Sequence, residues 1–471
     1  MLRTHTYSKT LILAMFAVLI CLSPTLNLIP KKLIATSFHD SHRLLELIFI
    51  SVILLYNSIP KPPAFAMSPT LRNAFYALIA LAIASSLLAL SPRHALIEIS
   101  MFAGLSYLTI FVIRLHHENN TQLIQWLVYA YWAGIALSMV SFYVGYTTAT
   151  IFASPIIWPA PVTGFGNIRF FNQYQLWTVG LITLPLLAYE LKNNLLRRSL
   201  HVGLTAWWII LFFTSSRGVL LANLIGLLGT AIIYRKQAWS FIRLQLTHIT
   251  TGFIGYITLF QLIPNLRGSG VIITGTVFRS TTSDRMRLWD LSMELIRNHP
   301  VFGIGPMHFA WYNNNISAHP HDSVLQLMTE WGLPAALIIL SLAGYGLFCW
   351  IKKFNANTLS TQSKLQSNLI VILFFTLIAN ATYSLVDGVI VMPISQIMMF
   401  TSIGLAMAIY QTPPQISTRK NSLFLAVFAG LTLITLIGSS LPEILQGAKD
   451  NPKHFSMGYQ ASGPRFWEEV K

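Results

Sequence analysis

The stretch Gly332-Leu-Pro-Ala-Ala-Leu-Ile-Ile-Leu-Ser-Leu-Ala-Gly-Tyr-Gly-Leu-Phe-Cys-Trp-Ile351 carries no charge, and Lys352-Lys353 closes it. About twenty apolar residues is the length of α-helix that crosses a hydrocarbon layer about 30 Å thick. Segments of the same kind recur at 11–30, 44–58, 73–91, 95–113, 122–147, 173–190, 199–216, 218–234, 246–264, 367–386, 391–411 and 422–441. The composition agrees. Of 471 residues, 54% are hydrophobic and 10% charged; the mean hydropathy is +0.59. A soluble domain carries roughly 25% charged residues, so an ordinary soluble enzyme, a coiled coil and a disordered chain are all excluded. The expected fold class is all-α, a polytopic membrane protein with about 12–13 transmembrane helices; the short 44–58 segment decides between the two numbers. The first segment follows Arg3 and Lys9, as a signal peptide would, but it lacks a small-residue cleavage site and runs on to Pro30. It reads as a retained helix. Cys21 and Cys349 both lie in apolar segments and offer no disulfide framework or cysteine metal site. With no internal repeat and no detached soluble stretch, a single integral membrane domain over 1–471 is expected.

The net charge of +16 bears first on threading. With the N-terminus in the cytoplasm, sixteen of the 31 Lys and Arg fall on the cytoplasmic side. Nine of the remaining fifteen sit in the 265–331 loop and the 442–471 tail, which leaves 16 against 6 in the short connections. The positive-inside rule therefore puts 265–331 and 442–471 in the periplasm, and the short basic connections 191–198 and 235–243 in the cytoplasm. A long ordered connection is commonly functional, so chemistry is expected at the outer face.

The 265–331 loop holds most of the candidates. Arg267-Gly-Ser-Gly opens it as a turn. Ser283 or Asp284 is placed to cap a helix, and Met286, Trp289, Met293 and Ile296 recur at helical spacing. That spacing predicts an amphipathic helix on the membrane surface, ended by Asn298-His299-Pro300 and followed by a turn at Gly303-Ile-Gly305-Pro306. Arg285 and Arg287 on this helix suit lipid phosphates or a phosphorylated substrate. His319-Pro320-His321-Asp322 follows. An H-x-H pair invites zinc, but no third ligand stands at a recognisable spacing, so neither a metal nor another cofactor is expected. A histidine at the membrane surface also suits general-base work at neutral pH, or simply a helix cap.

Three further residues fall on the same side of the threading. Arg169 precedes a span in Asn167-Ile-Arg-Phe-Phe-Asn172, and Arg217 sits in the tight hairpin Thr214-Ser-Ser-Arg-Gly218. Asp387 interrupts an uncharged run from 365 to 418. Ionised groups at membrane depth are costly and mark sites by default, the alternative for Asp387 being a structural partner to one of the arginines. Guanidinium forks bind phosphate bidentately. Arginines, one histidine and one aspartate around a membrane face could hold a lipid-linked pyrophosphate while a hydroxyl is deprotonated to attack a sugar.

At these residues the sequence resembles the O-antigen ligase superfamily, which includes lipopolysaccharide O-antigen ligases, O-antigen polymerases and bacterial protein O-oligosaccharyltransferases. The resemblance is carried by His321-Asp322, nine residues to Trp331, then Gly332-Leu-Pro-Ala335. Asp322 replaces the usual Asn or Ser, and Ala335 the usual Gly, Thr or Tyr. Arg285-Met-Arg-Leu-Trp289 through His299-Pro-Val-Phe-Gly303-Ile-Gly-Pro306 is similar to the family's Arg–Trp–Pro–Gly block, Ser216-Arg-Gly218 to its Ser-Arg-Gly motif, and Asp387 to a late acidic position. The resemblance implies an undecaprenyl-diphosphate-linked glycan donor, metal-independent transfer at the periplasmic face of the bacterial inner membrane, and arginines on the pyrophosphate. It further implies His321 as base, with Arg285 or Arg287 the main phosphate ligand, Arg217 and Arg169 beside it, and Asp387 in support. Arg169-Phe-Phe-Asn-Gln-Tyr-Gln-Leu-Trp177 and Gly463-Pro-Arg-Phe-Trp467 look similar to stretches of pilin-type O-oligosaccharyltransferases, which inclines the acceptor towards a pilin-like protein over lipid A–core or a growing polysaccharide. From another class, a lipid or solute transporter would place its ionisable groups near the midplane on broken, repeated helices. Here they cluster at outer helix ends and no repeat is visible.

Overall fold

A computed structural model describes residues 2–29, 37–61, 68–152, 154–157, 160–267, 285–312, 316–411, 419–446 and 465–466. The expected cap at Ser283 or Asp284, the glycines of the Arg267-Gly-Ser-Gly turn and most of the 442–471 tail lie outside them. The described residues form seventeen α-helices. In chain order these are α1 (Leu2–Ala17), α2 (Phe38–Asn57), α3 (Pro69–Leu88), α4 (Pro92–Ile151), α5 (Ile168–Thr178), α6 (Leu184–Ala188), α7 (Asn194–Phe213), α8 (Arg217–Tyr234) and α9 (Trp239–Ile257). They continue with α10 (Ile263–Arg267), α11 (Arg285–Asn298), α12 (Ser323–Trp331), α13 (Leu333–Lys353), α14 (Ala356–Ser360), α15 (Lys364–Tyr383), α16 (Pro393–Tyr410) and α17 (Arg419–Gln446).

Among the described residues, seven segments are long and apolar enough to cross a membrane by length and composition alone. Two of them each contain two of the expected spans. Residues 92–151 are broken at Asn119, whose φ of −159° and ψ of 87° are not helical. Residues 217–265 are broken at Arg235, where φ is 50°. Asn119 and Arg235 are polar punctuation that hydropathy alone would smooth over. The fold is thus an all-α polytopic membrane protein.

The central helices are α4 and α16, whose side chains are mostly buried. By contrast, α3 and α13 turn most of theirs outward. Leu87 of α3 and Leu337 and Phe348 of α13 are among the outward residues, as expected where lipid rather than water is the solvent. Where lipid tails are as apolar as leucine, helices associate through close packing and interhelical hydrogen bonds. Gly252 shows the first: a Cβ there would stand 2.5 Å from that of Trp208, so α7 and α9 can meet only because position 252 has no side chain. Trp177 shows the second, its Nε1 donating to Ser395 Oγ at 2.9 Å across α5 and α16.

Three elements depart from expectation. The span expected at 173–190 is broken after Thr178 and resumes as a 3-10 turn at Leu181–Thr183 and the short α6. The span expected at 44–58 starts at Phe38, so His39, Asp40, His42 and Arg43 enter the helix and are buried. Helix α11 forms as the periodicity predicts, but its apolar residues divide. Leu288 and Leu295 pack against Ile304 and Phe309 of the following loop, and Ile296 is buried with them, while Met286 and Met293 remain exposed on the other side. A single spacing of four apolar residues could not show that a second partner, the loop itself, competes with the membrane for this helix.

Candidate active site

The site is built from five helix ends, those of α5, α8, α11, α12 and α15, brought together. Asp322 is the N-cap of α12, its Oδ1 accepting from the backbone N–H groups of Val324 and Leu325 at 2.8 and 2.9 Å. This is the usual device for satisfying the free amides of a first helical turn. Asp322, not His321, is therefore the capping residue, and a nine-residue helix stands between the H-x-H pair and the span beginning at Leu333. The backbone of His321 sits in the left-handed region at φ 55°, uncommon for a side chain of this size. Strained conformations of this kind concentrate at functional sites. The N–H of Ser323 donates to Ser384 O at 2.7 Å and ties the start of α12 to the turn after α15.

That turn carries Asp387. Its Oδ2 accepts from the Tyr383 hydroxyl at 2.6 Å, and its Oδ1 accepts from the Gly388 N–H at 2.7 Å and from Gln173 Nε2 at 3.5 Å. His321 Nδ1 lies 3.6 Å from the same Oδ1, an electrostatic contact rather than a hydrogen bond. Burial by itself would raise the Asp387 pKa. His321 and the Tyr383 hydroxyl outweigh it and hold the carboxyl below the usual carboxylate range. The charged form is thus favoured where His321 needs an anion. His319 stacks edge-on to His321 with ring centroids 4.2 Å apart. It is fully enclosed, its Nε2 pressed against Gly388, where a Cβ would come within 2.3 Å. Burial pushes the His319 pKa well below the ordinary histidine value, so this ring stays neutral.

The arginines approach from three directions. Arg169 lies in the first turn of α5, its N–H accepted by the Asn167 side chain at 2.9 Å, and its Nη1 stands 3.5 Å from His321 Nε2. Arg217 begins α8 after the N-cap Ser216, which follows Ser215, another left-handed residue at φ 54°. The Ser-Arg-Gly motif has a residue-by-residue reason. Ser216 hydrogen-bonds Tyr383, Arg217 faces the same charges, and Gly218 leaves room for the Tyr383 ring, 2.9 Å from where a Cβ would be. Arg285 is half-buried on the inner side of α11. Its pKa is lowered by burial first and then by the like charges of Arg169 and Arg217, with Asp387 partly offsetting them. Its Nε has no hydrogen-bond partner. Arg287, two residues on and so nearly on the opposite side of the helix, is exposed.

Of the six sequence-derived site residues, the fold brings together Arg169, Arg217, Arg285, His321 and Asp387 and leaves Arg287 outside. The result is three cations and one anion around one histidine. His319, His321 and Asp387 also bring ligating atoms within 4.8 Å of one another, a donor set of the kind zinc accepts, although Arg169 and Arg285 set positive charge alongside. The sequence assigns no site role to Tyr383 or Gln173, and Ser216 enters it only as the first residue of the Ser-Arg-Gly motif. Tyr383 was legible in principle, four residues before Asp387 at the end of the same helix, whereas Gln173 has no local signal.

Residues 202–340 match the profile of the O-antigen ligase family. No curated protein matches the chain. The matched segment holds Arg217, Arg285 and His321, while Arg169 and Asp387 lie beyond it and join the site through the fold. The similarity to the O-antigen ligase family is thus carried by residues 202–340, under a third of the chain.

Proposed function

We propose that the protein moves a glycan en bloc from an undecaprenyl-diphosphate carrier to an acceptor hydroxyl, at the periplasmic face of the bacterial inner membrane. The observation that supports the reading is that half-buried Arg285, whose Nε has no hydrogen-bond partner, sits among the like charges of Arg169 and Arg217, with Asp387 only partly offsetting them. A half-buried cation among like charges is costly until an anion joins it, and a pyrophosphate has both the charge and the oxygens to suit planar forks.

In the step proposed, the acceptor oxygen attacks the anomeric carbon of the donor glycan. His321 Nε2 takes the hydroxyl proton, the new C–O bond forms, and the bond from the anomeric carbon to the pyrophosphate oxygen breaks. The departing carrier pyrophosphate keeps the electron pair, and Arg285 and Arg217 stabilise its charge. Asp387 faces Nδ1 of His321 at 3.6 Å, which favours the tautomer protonated there and leaves the Nε2 lone pair free. It also stabilises the imidazolium that forms. Arg169, 3.5 Å from Nε2 in the resting protein, swings towards the donor when the pyrophosphate arrives and exposes that lone pair to the acceptor.

For the acceptor we propose a serine or threonine hydroxyl of a pilin-like protein, on the similarity around Arg169–Trp177 and Gly463–Trp467. The test is transfer in vitro with purified protein and labelled lipid-linked glycan, offered a pilin or lipid A–core in separate reactions. Labelled pilin is the expected product. Labelled lipid A–core, or a lengthened lipid-linked glycan, would keep the chemistry and replace the acceptor.

A further inference from the structure

Arg465 lies far along the chain from every site residue, yet it is almost completely buried beside the loop that carries the histidines. Its Nη1 donates to Glu330 Oε1 at 2.8 Å, and its Nη2 donates to Glu98 Oε2 at 2.7 Å and to Glu330 Oε2 at 3.3 Å. Nη1 also reaches Ala318 O at 3.5 Å, and the backbone N–H of Arg465 donates to Met307 O at 3.1 Å. One guanidinium therefore joins α4, α12 and the loop between α11 and α12. The next residue, Phe466, is buried in the main apolar core.

The placement matters because of what lies between the contacts. His319, Pro320 and His321 run from Ala318, which Arg465 touches, to Asp322, which caps the helix bearing Glu330. Both ends of the histidine segment are thus fixed by groups that Arg465 holds. We infer that Arg465 is a positioning residue for His321: it pins the His319–His321 segment against α4 and α12 so that the base keeps its strained backbone and its place between Arg169 and Asp387. The role in catalysis rests on the transferase reading given above; the pinning itself does not. Lysine could supply the charge but not a fork that serves two carboxylates at once. A misplacement of about 1 Å in a catalytic group can cost roughly 100-fold in rate.

The experiment uses the full-length protein in nanodiscs. One variant is Arg465→Lys. A second, Arg465→Met with Glu98→Gln and Glu330→Gln, removes the ions together so that no carboxylate is left buried without its partner. Hydrogen exchange is followed over 316–325, and transfer is measured with lipid-linked glycan and whichever acceptor the wild type uses. In both variants we expect folded protein, exchange over 316–325 faster by about tenfold or more, and kcat lower by roughly 10- to 100-fold, with KM for the donor within about threefold. Wild-type exchange over 316–325 in the folded variants overturns the inference. So does faster exchange with kcat unchanged, because the base would then not depend on the pin. If the wild type transfers glycan to neither acceptor, the transferase reading fails, and the exchange data alone decide whether Arg465 holds the loop.

Discussion

Nη1 of Arg169 stands 3.5 Å from Nε2 of His321, although 152 positions separate the two residues in the chain. A permanently charged donor thus covers the lone pair of the proposed base in the resting protein. In the proposed reaction an anion draws the guanidinium away and frees that nitrogen. The other ring nitrogen faces Asp387, so the two sides of one imidazole meet opposite charges.

The phosphate clamp separates two arginines between which the sequence leaned to Arg285 only by its spacing to Trp289. Arg285 shares a field with Arg169, Arg217 and Asp387, whereas Arg287 is exposed on the far side of α11. Arg217→Lys and Arg285→Lys should each lower kcat/KM by roughly 100-fold or more, the usual cost of losing a preorganised donor to developing charge. Arg287→Lys should stay within about threefold. Initial rates at matched expression decide it, and Arg287→Lys as damaging as Arg285→Lys would assign the ligand wrongly.

The base prediction turns on the two histidines. His321→Ala should lose about 10²–10⁴-fold in rate while donor binding survives. His319→Ala should lose much less, and a chelator should change neither. Because His319, His321 and Asp387 could also hold an ion, the alternative has its own signature: equal losses at both histidines, inactivation by chelator and recovery with added zinc.

Tyr383 and Asp387 give a graded pair. Tyr383→Phe removes the 2.6 Å hydrogen bond to Asp387 Oδ2 but leaves the carboxylate. Asp387→Asn removes the charge that His321 Nδ1 faces. Transfer should fall roughly 10-fold in the first and at least about 100-fold in the second, where the range for lost general-base action begins. Equal rates in the two variants would show that the carboxylate charge is not what matters.

The burial of His319 makes a pH prediction. Burial is the main cause of its lowered pKa; His321, Arg465 and Arg169 add to it and Asp387 opposes. An unfolded chain binds a proton on this ring near pH 6.5, and the folded protein refuses it until the pH is well below that. Stability is therefore whole above about pH 6.5 and falls as the pH drops, by at most about 1.4 kcal/mol per pH unit. Melting temperatures between pH 7.5 and 5.5 should decline less steeply in His319→Gln than in the wild type. Parallel curves would mean that His319 is not held neutral.

Threading can be checked on exposed positions. A cysteine at Asp290, on α11, should react with a membrane-impermeant reagent added from outside, in a background lacking Cys349. A cysteine at Gln237, between α8 and α9, should react only after permeabilisation. Labelling in the reverse pattern would turn the site towards the cytoplasm and remove the periplasmic proposal.

The sequence by itself determined the solvent and the class. Twenty-residue apolar blocks can fold only as helices in lipid, because every backbone polar group must be satisfied within the segment. It also marked the chemistry-bearing positions one at a time, since a charge in such a setting is expensive wherever it stands. Glu98, alone in its span, obeys the same rule but had no visible partner, because Arg465 lies 367 positions away. What only the tertiary structure decided is which charges meet. It set Arg285 inside the cluster and Arg287 outside by the turn of one helix. It gave the cap to Asp322 and so left His321 free, and it placed Arg465 between two carboxylates. These choices depend on distances between helix ends, and no periodicity along the chain records how far apart two helices will stand.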